Sequence, residues 1–185
     1  MTEKIHIMRK LMLMLAFVAI SWGVTYGQET AEGKVKWYTI KEALELQKKE
    51  PRKIIIDVYT DWCGWCKRMD KETFSHPVIA DYLNKHFYPV KFNAESAEPI
   101  DFAGKNYTNQ GSGQRSTHQF AVYLLKGQLS YPSIAYLDEN LQMLGTVPGY
   151  FTAVQEEPLL NYIVENKYKS ISMDEYQKTF VSKIK

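Results

Sequence analysis

A short apolar strand that runs into a closely spaced pair of cysteines constrains the fold of this chain more than any other feature. The segment "KIIIDVYT" at residues 53–60 is rich in β-branched residues, and it is too short for a buried helix. Such a run is typical of a strand that is covered on both faces of its sheet. Cys63 and Cys66 follow almost directly, and they are the only cysteines in the chain. The sequence therefore predicts a CxxC pair at the carboxyl end of a buried strand, where a helix begins.

Three roles are open to the two cysteines: a structural disulfide, a metal-ligand pair and a redox reagent. A structural disulfide stabilises chiefly by closing a long loop of the unfolded chain, and two intervening residues close almost none. Structural zinc takes four ligands, whereas the chain has no third cysteine, and its histidines beyond the first residues, at positions 76, 86 and 118, are scattered. A Cu(I) site assisted by Met69 stays open, although methionines at that spacing are more often core residues. A redox pair is favoured.

The spacing of the cysteines suits thiol–disulfide exchange. Cys63 precedes the first helical turn, where free backbone N–H groups and the positive end of the helix dipole favour the thiolate. Cys66 follows one turn later, close enough to resolve a mixed disulfide between Cys63 and a substrate. Asp57 lies within the apolar strand, which predicts a desolvated acid with a raised pKa that moves a proton to and from Cys66. The alternative for Asp57 is a strand-end acid that faces solvent.

The first residues predict a secretory signal peptide over residues 1–27. Lys4, Arg9 and Lys10 precede an apolar run from position 11 to position 20, followed by small residues up to Gly27. The run is shorter than the roughly 20 residues that span a bilayer. We therefore expect cleavage after Gly27 and secretion into a bacterial periplasm, with no membrane span afterwards, and a retained anchor is the alternative.

The charge balance excludes one class of partner. The chain has 23 basic and 21 acidic residues, and removal of the predicted signal peptide takes away three bases and one acid, which leaves 20 of each. A neutral chain without a long basic run lacks the clustered lysines and arginines that neutralise nucleic-acid phosphates. We therefore expect no nucleic-acid partner.

The rest of the chain alternates predicted helices and strands in the manner of one α/β domain with a mixed sheet. Thr39 is the predicted N-cap of a helix that Pro51 ends, and "YPSIAYLDENLQMLGTVPGY" predicts two strands joined by a tight turn. We expect a flexible segment at 28–36, the domain at 37–185, an exposed insertion at about 95–116 with at most a short helix near 100–103, and an extra helix at about 172–182.

The residues around the cysteines resemble those of thioredoxin-fold proteins. In that family a buried Asp lies six residues before the first cysteine and an aromatic residue directly before it, as Asp57 and Trp62 do in this chain. A cis-proline faces the family's CxxC, and "YPSIAYLD" has Tyr131 and Pro132 at the matching place. "VKFN" has Lys91 where thioredoxins carry a lysine near the buried acid.

Within this family the segment "DWCGWCKRMDKETF" is similar to the C-terminal domain of the periplasmic reductant DsbD, which has a phenylalanine eight residues after the second cysteine, as Phe74 is here. The resemblance covers residues 54–150 and weakens at the insertion and the last helices. It implies a thioredoxin fold with an insertion before the cis-proline strand. It also implies a secreted thiol–disulfide oxidoreductase, with Cys63 as the attacking thiol and Cys66 as the resolving thiol.

The same resemblance suggests the partners. We expect protein disulfides as substrates, reduction as the direction, a thiol or membrane electron donor, and neither cofactor nor metal ion. The alternatives are a Cu(I)-binding module and a redox-gated binding module that use the same cysteines. Substrate contact is expected from five residues: Trp62, Gly64, Trp65, Tyr131 and Pro132.

The residue between the cysteines bears on the direction of the reaction. Trp65 replaces the proline of thioredoxin and has a backbone N–H that can donate to the Cys63 thiolate. A stabilised thiolate favours the reduced form and raises the potential above thioredoxin's value of about −270 mV. No histidine lies between the cysteines, as one does in strong oxidants near about −120 mV. We predict a potential of about −200 to −260 mV, which is compatible with a reductase.

Overall fold

Helices and strands alternate along the chain in the computed structural model, which describes residues 33–111, 113 and 115–185. The predicted signal peptide lies outside these residues. The helices are α1 (Ile40–Lys49), α2 (Gly64–Met69), which continues as a π-helical turn (Asp70–Phe74), α3 (Pro77–His86), α4 (Gln119–Leu124), α5 (Ala153–Val164) and α6 (Met173–Thr179). The strands are β1 (Lys53–Tyr59), β2 (Phe87–Asn93), β3 (Ile100–Phe102), β4 (Lys105–Tyr107), β5 (Ser133–Leu137) and β6 (Met143–Pro148).

A mixed sheet in the order β2–β1–β5–β6 forms the centre of the fold. β1 is parallel to β2 and antiparallel to β5, and β6 is antiparallel to β5. The parallel pair needs a crossover connection, which α2, the π-helical turn and α3 supply. β1 therefore lies inside the sheet and is covered on both faces. The predicted thioredoxin fold, a central mixed sheet flanked by helices, is confirmed.

Alternate residues of β1 enter two separate cores, because successive side chains of a strand point to opposite faces. Ile54, Ile56 and Val58 are buried in the core that also contains residues of α1 and α4. Ile55 is buried in the other core, with residues of α3 and α5. Each such side chain contributes about 1.5–3 kcal/mol when it is fully buried. Asp57 shares the face of Ile55, which puts an acid in the second core.

The start of α1 follows the predicted capping. The Thr39 hydroxyl accepts a hydrogen bond from the Glu42 backbone N–H, and the Glu42 carboxylate accepts one from the Thr39 backbone N–H. This reciprocal pair satisfies two of the backbone donors that a helix start leaves free. Asn84 of α3 hydrogen-bonds to the backbone of Lys34 and Lys36, which lie in the segment predicted to be flexible.

The insertion differs from the prediction of an exposed segment with a short helix near residues 100–103. Those residues belong to a hairpin of β3 and β4, whose turn residues Ala103 and Gly104 have φ values of 50° and 75°. Phe102 and Tyr107 lie on one face of this hairpin and are buried against Phe120 of α4. The helix prediction is wrong, because strand alternation lets both aromatic rings reach the core together. The insertion is therefore partly buried.

The last part of the chain packs against the second core through α5. α5 ends at Val164, and Asn166, two residues later, has a positive φ of 57°. A short 3-10 turn at Lys167–Lys169 follows, and α6 lies within the segment predicted as an extra helix. Within the described residues, none of the helices is both long and apolar enough to cross a membrane.

Candidate active site

The two cysteines lie at the carboxyl end of β1, at the start of α2. Cys63 is the N-cap residue of α2, and its backbone N–H donates to the carbonyl oxygen of Thr60 at 3.1 Å. Cys63 and Cys66 form a disulfide, with their Cα atoms 5.3 Å apart. The Cys66 backbone N–H donates to Cys63 Sγ at 3.1 Å. A backbone N–H at the start of the helix thus points at Cys63 Sγ. Donation from the Trp65 backbone N–H to the Cys63 thiolate stays a prediction for the reduced form.

The two cysteines differ in access to solvent. Cys63 is 5% exposed and Cys66 is 1% exposed, whereas Trp62 and Trp65 are 51% and 53% exposed. A substrate thiol therefore reaches Cys63 first, between two exposed indole rings. Since Cys63 itself is largely covered in this disulfide form, a substrate has to lie close against the protein surface to react.

Asp57 is the buried acid of the site. It is 1% exposed, its Oδ2 accepts a hydrogen bond from Lys91 Nζ at 2.5 Å, and its Oδ1 has no partner within the described residues. Burial raises the pKa of Asp57 to about 6, and the charge of Lys91 limits that rise. The predicted burial of Asp57 is confirmed, as is its closeness to Lys91. Its role as a proton shuttle stays a prediction.

Lys91 on β2 connects two acids of the site. Its ammonium group contacts the carboxylates of both Asp57 and Asp70. It also lies 5.0 Å from the ring centroid of Trp37 and 5.1 Å from that of Tyr59, distances that allow cation–π attraction. Burial opposes the charged form, but the two carboxylates outweigh burial and raise the pKa of Lys91. The ammonium group therefore stays charged beside Asp57.

Sequence reasoning missed Asp70. Asp70 lies four residues after Cys66, at the start of the π-helical turn that continues α2, so the two residues lie one turn apart on the same side. That spacing was a usable signal, but only the packing of this helix over β2 brings Asp70 to Lys91.

A second buried acid, Glu156 of α5, was also missed. Its side chain is fully buried, Oε1 accepts a hydrogen bond from the Tyr136 hydroxyl at 2.8 Å, and Oε2 has no partner within the described residues. Burial raises the pKa of Glu156 to about 7, and the nearby charge of Asp57 adds to that rise. Tyr136 pairs with Ile55 in the sheet, so it shares the face of Asp57. The second core therefore holds two coupled carboxyl groups.

Two exposed tryptophans and two half-buried tyrosines lie near the disulfide. The ring centroids of Trp62 and Tyr131 are 6.1 Å apart, and those of Trp65 and Tyr150 are 5.4 Å apart. The Arg68 guanidinium lies 5.2 Å from the Trp65 ring centroid and 5.5 Å from that of Tyr150. Trp62, Trp65 and Tyr131 were all predicted as contact residues, and the structure brings them to the same side of the molecule as Cys63.

The remaining predicted contact residues also lie at this end of the sheet. The Tyr131–Pro132 peptide bond is cis, and Ser133, the next residue, pairs with Val58 near the end of β1. Gly64 is exposed, and a Cβ atom added to it would have no heavy atom within 4 Å. The backbone at Gly64 is therefore open to solvent, whereas Pro132 is buried and its carbonyl oxygen accepts a hydrogen bond from the Gly149 backbone N–H at 2.8 Å.

Comparisons with known proteins agree with this geometry. The family model described as "Thioredox_DsbH: Protein of unknown function, DUF255" matches residues 20–174. Spermatogenesis-associated protein 20 of Rattus norvegicus is 32% identical over 77 residues, which are 41% of this chain and 10% of that protein. Thiol:disulfide interchange protein DsbD of Vibrio vulnificus is 31% identical over 70 residues, 35% of this chain and 12% of that protein. The matched stretches thus span about a tenth of each of these relatives.

A solved structure titled "DsbH Oxidoreductase" resembles the chain in fold. It aligns with a TM-score of 0.51 and 17% sequence identity, and the alignment covers 78% of this chain and 94% of that one.

Proposed function

This chain belongs to the Thioredox_DsbH family, and on that premise we propose that it reduces disulfides of proteins outside the cytoplasm. Thiol:disulfide interchange, the reaction after which the Vibrio relative is named, is the reaction that we propose for this chain. One observation carries the proposal: a disulfide at the start of a helix, backed by a buried acid whose pKa is about 6. The leader-like residues 1–27 support a periplasmic location.

Reduction of a substrate starts from the dithiol form. The Cys63 thiolate attacks one sulfur of the substrate disulfide, the substrate S–S bond breaks, and the departing sulfur leaves as a thiolate that takes a proton from water. Cys66 then loses its proton to Asp57, and its thiolate attacks Cys63 Sγ. The mixed disulfide breaks, and the second substrate sulfur leaves as a thiolate. Two electrons have then passed to the substrate, and the product is the Cys63–Cys66 disulfide of the structure.

Asp57 suits the proton step. With a pKa of about 6, roughly nine-tenths of this carboxyl group is ionised at pH 7 and able to accept a proton. Its Oδ1, which has no protein partner within the described residues, is the oxygen left to exchange that proton. Lys91 keeps the ionised form accessible despite burial. A small thiol or a membrane electron donor then reduces the disulfide again, and the cycle needs no cofactor.

The exposure of Trp62 and Trp65 supports a proposed role in substrate contact. Trp62 and Trp65 are each about half exposed on either side of Cys63, and large exposed aromatic groups commonly carry contact energy in protein complexes. We further propose that an extended substrate segment lies beside the backbone of Tyr131, the half-buried residue before the buried cis-Pro132. Met69, the methionine considered for a Cu(I) site, is fully buried in the second core, so it supports packing rather than metal delivery.

Reduction of insulin disulfides with a thiol donor tests the proposal. We expect the purified chain to speed insulin reduction many-fold over the donor alone, and Cys63→Ser to abolish this effect. Asp81→Asn, on the exposed face of α3, is the control and should retain full activity. A Cu(I) titration against a chelator runs in parallel. Tight Cu(I) binding without disulfide turnover would replace the reductase with a metal-binding module.

A further inference from the structure

The insertion at residues 95–116 holds the tryptophan next to the first cysteine. The Trp62 indole N–H donates to Glu95 Oε1 at 2.8 Å, at the start of the insertion. Near its end, the Arg115 guanidinium lies 5.0 Å from the Trp62 ring centroid. Tyr131 contacts the same ring edge-on. Trp62 is thus in contact with two residues of the insertion, and its side chain remains about half exposed beside Cys63.

The part of the insertion that carries Glu95 is anchored to the body of the domain. The Glu95 backbone N–H donates to Asn93 Oδ1 at 2.9 Å, and Asn93 Nδ2 donates to the Asp61 carboxylate, next to Trp62, at 3.1 Å. Within the insertion, Asn109 Nδ2 donates to the Ser116 carbonyl oxygen at 2.8 Å and shares its second hydrogen between the carbonyl oxygens of Ser96 and Glu95, at 3.2 and 3.3 Å. One amide group thus ties the beginning of the insertion to the residue that follows Arg115.

A buried histidine and the β3–β4 hairpin complete this anchoring. His118 caps α4, since its Nδ1 accepts a hydrogen bond from the Phe120 backbone N–H, and its Nε2 lies 3.1 Å from the Glu98 carbonyl oxygen. Phe102 and Tyr107 of the hairpin pack on Phe120. Over its described residues (95–111, 113, 115 and 116), the insertion therefore has its own core contacts and brings Glu95 and Arg115 to Trp62.

We propose that Glu95 and Arg115 of the insertion border the substrate-binding surface and orient Trp62 for extended polypeptide segments that carry a disulfide. The proposal rests on the proposed reductase function and names the substrate class of the same site. A polypeptide bound at Cys63 covers the half-exposed Trp62 ring beside it. Because contacts with the insertion already fix the orientation of this ring, less side-chain entropy is lost when the polypeptide binds. A small disulfide reaches Cys63 without covering the indole and gains nothing from that orientation. Glu95 and Arg115 are thus positioning residues that act through Trp62.

The test compares a protein disulfide with a small one. We expect Glu95→Ala and Arg115→Ala each to lower kcat/KM for insulin by about fivefold, mainly through KM, as loss of one exposed contact to the ring implies. Reduction of oxidised glutathione and the redox potential should stay unchanged. Arg115→Lys, which keeps a cation, should retain most of the insulin activity. Lys105→Ala removes a similar cation–π contact, 4.7 Å from the Tyr107 ring centroid, and is the matched control.

Equal losses with insulin and glutathione, or no loss with either, would overturn the proposal. Failure of the reductase function itself has a different signature, because the unaltered chain would then reduce neither substrate. The NMR resonance of the Trp62 indole N–H, which donates to Glu95, gives a readout that does not depend on activity. It should shift in Glu95→Ala and stay in place in Lys105→Ala, and an unshifted resonance in Glu95→Ala would also contradict the proposal.

Discussion

Replacement of Asp57 by asparagine should stabilise the disulfide form at neutral pH and leave it little changed in acid. Burial raises the pKa of Asp57 from 3.8 to about 6, so ionisation of this group opposes folding. A group with a raised folded-state pKa contributes stability below its unfolded pKa, and that contribution is lost as the pH rises through the folded pKa. A shift of about two units corresponds to about 3 kcal/mol. Asparagine cannot ionise, so Asp57→Asn does not lose this stability as the pH rises.

Urea unfolding of the disulfide form at pH 4 and pH 8 measures this effect. The free energy of unfolding of Asp57→Asn, relative to the unaltered chain, should increase by about 2 kcal/mol from pH 4 to pH 8, because the unfolded state is already partly ionised at pH 4. Asp81→Asn, which removes an exposed carboxylate from α3, is the matched control. Its free energy of unfolding should differ little from that of the unaltered chain at either pH. A difference for Asp57→Asn that does not change with pH would refute the assignment of Asp57 as a desolvated acid.

Three further predictions concern the same site. Cys66→Ala should accumulate mixed disulfides with partner proteins and Cys63→Ala should not, because only Cys63 attacks, and equal trapping on non-reducing gels would reverse the roles. Asp57→Asn should slow resolution of a mixed disulfide by about 100-fold at pH 7 in stopped-flow measurements, and an unchanged rate would remove its role as a base. Burial raises the pKa of Glu156 from 4.5 to about 7, so its stabilising contribution is lost as the pH rises through 7. In urea unfolding, the free energy of unfolding of Glu156→Gln, relative to the unaltered chain, should increase by about 3 kcal/mol from pH 4 to pH 9. A difference between the two proteins that does not change with pH would contradict this.

Much of the fold could be predicted from local sequence signals. The β-branched run of β1, the capping pair at Thr39 and the proline that starts α3 each act over a few residues, so each predicts its own element. The burial of Asp57 followed from its place inside β1. Lys91 followed only from the family resemblance, because nothing local links β2 to Asp57.

The features that were missed depend on contacts between distant parts of the chain. Glu156 looks like an ordinary acid of a terminal helix until α5 packs against β5 and brings it to Tyr136. Likewise, the β3–β4 hairpin turns at Ala103 and Gly104, which lack the Asn-Gly or Asp-Gly signal of such turns. The sequence does not show that Phe102 and Tyr107 lie on the buried face of the hairpin, because that burial depends on Phe120 of α4.

The equilibrium potential of the Cys63–Cys66 pair tests the central claim most directly, since a reductase, an oxidase and a structural disulfide occupy different ranges. The purified chain is equilibrated with glutathione buffers, and its dithiol fraction is measured by thiol alkylation. We predict a potential of about −200 to −260 mV. A value above about −150 mV would indicate an oxidase, and one below about −300 mV would indicate a structural disulfide, so either result would contradict the proposed reductase.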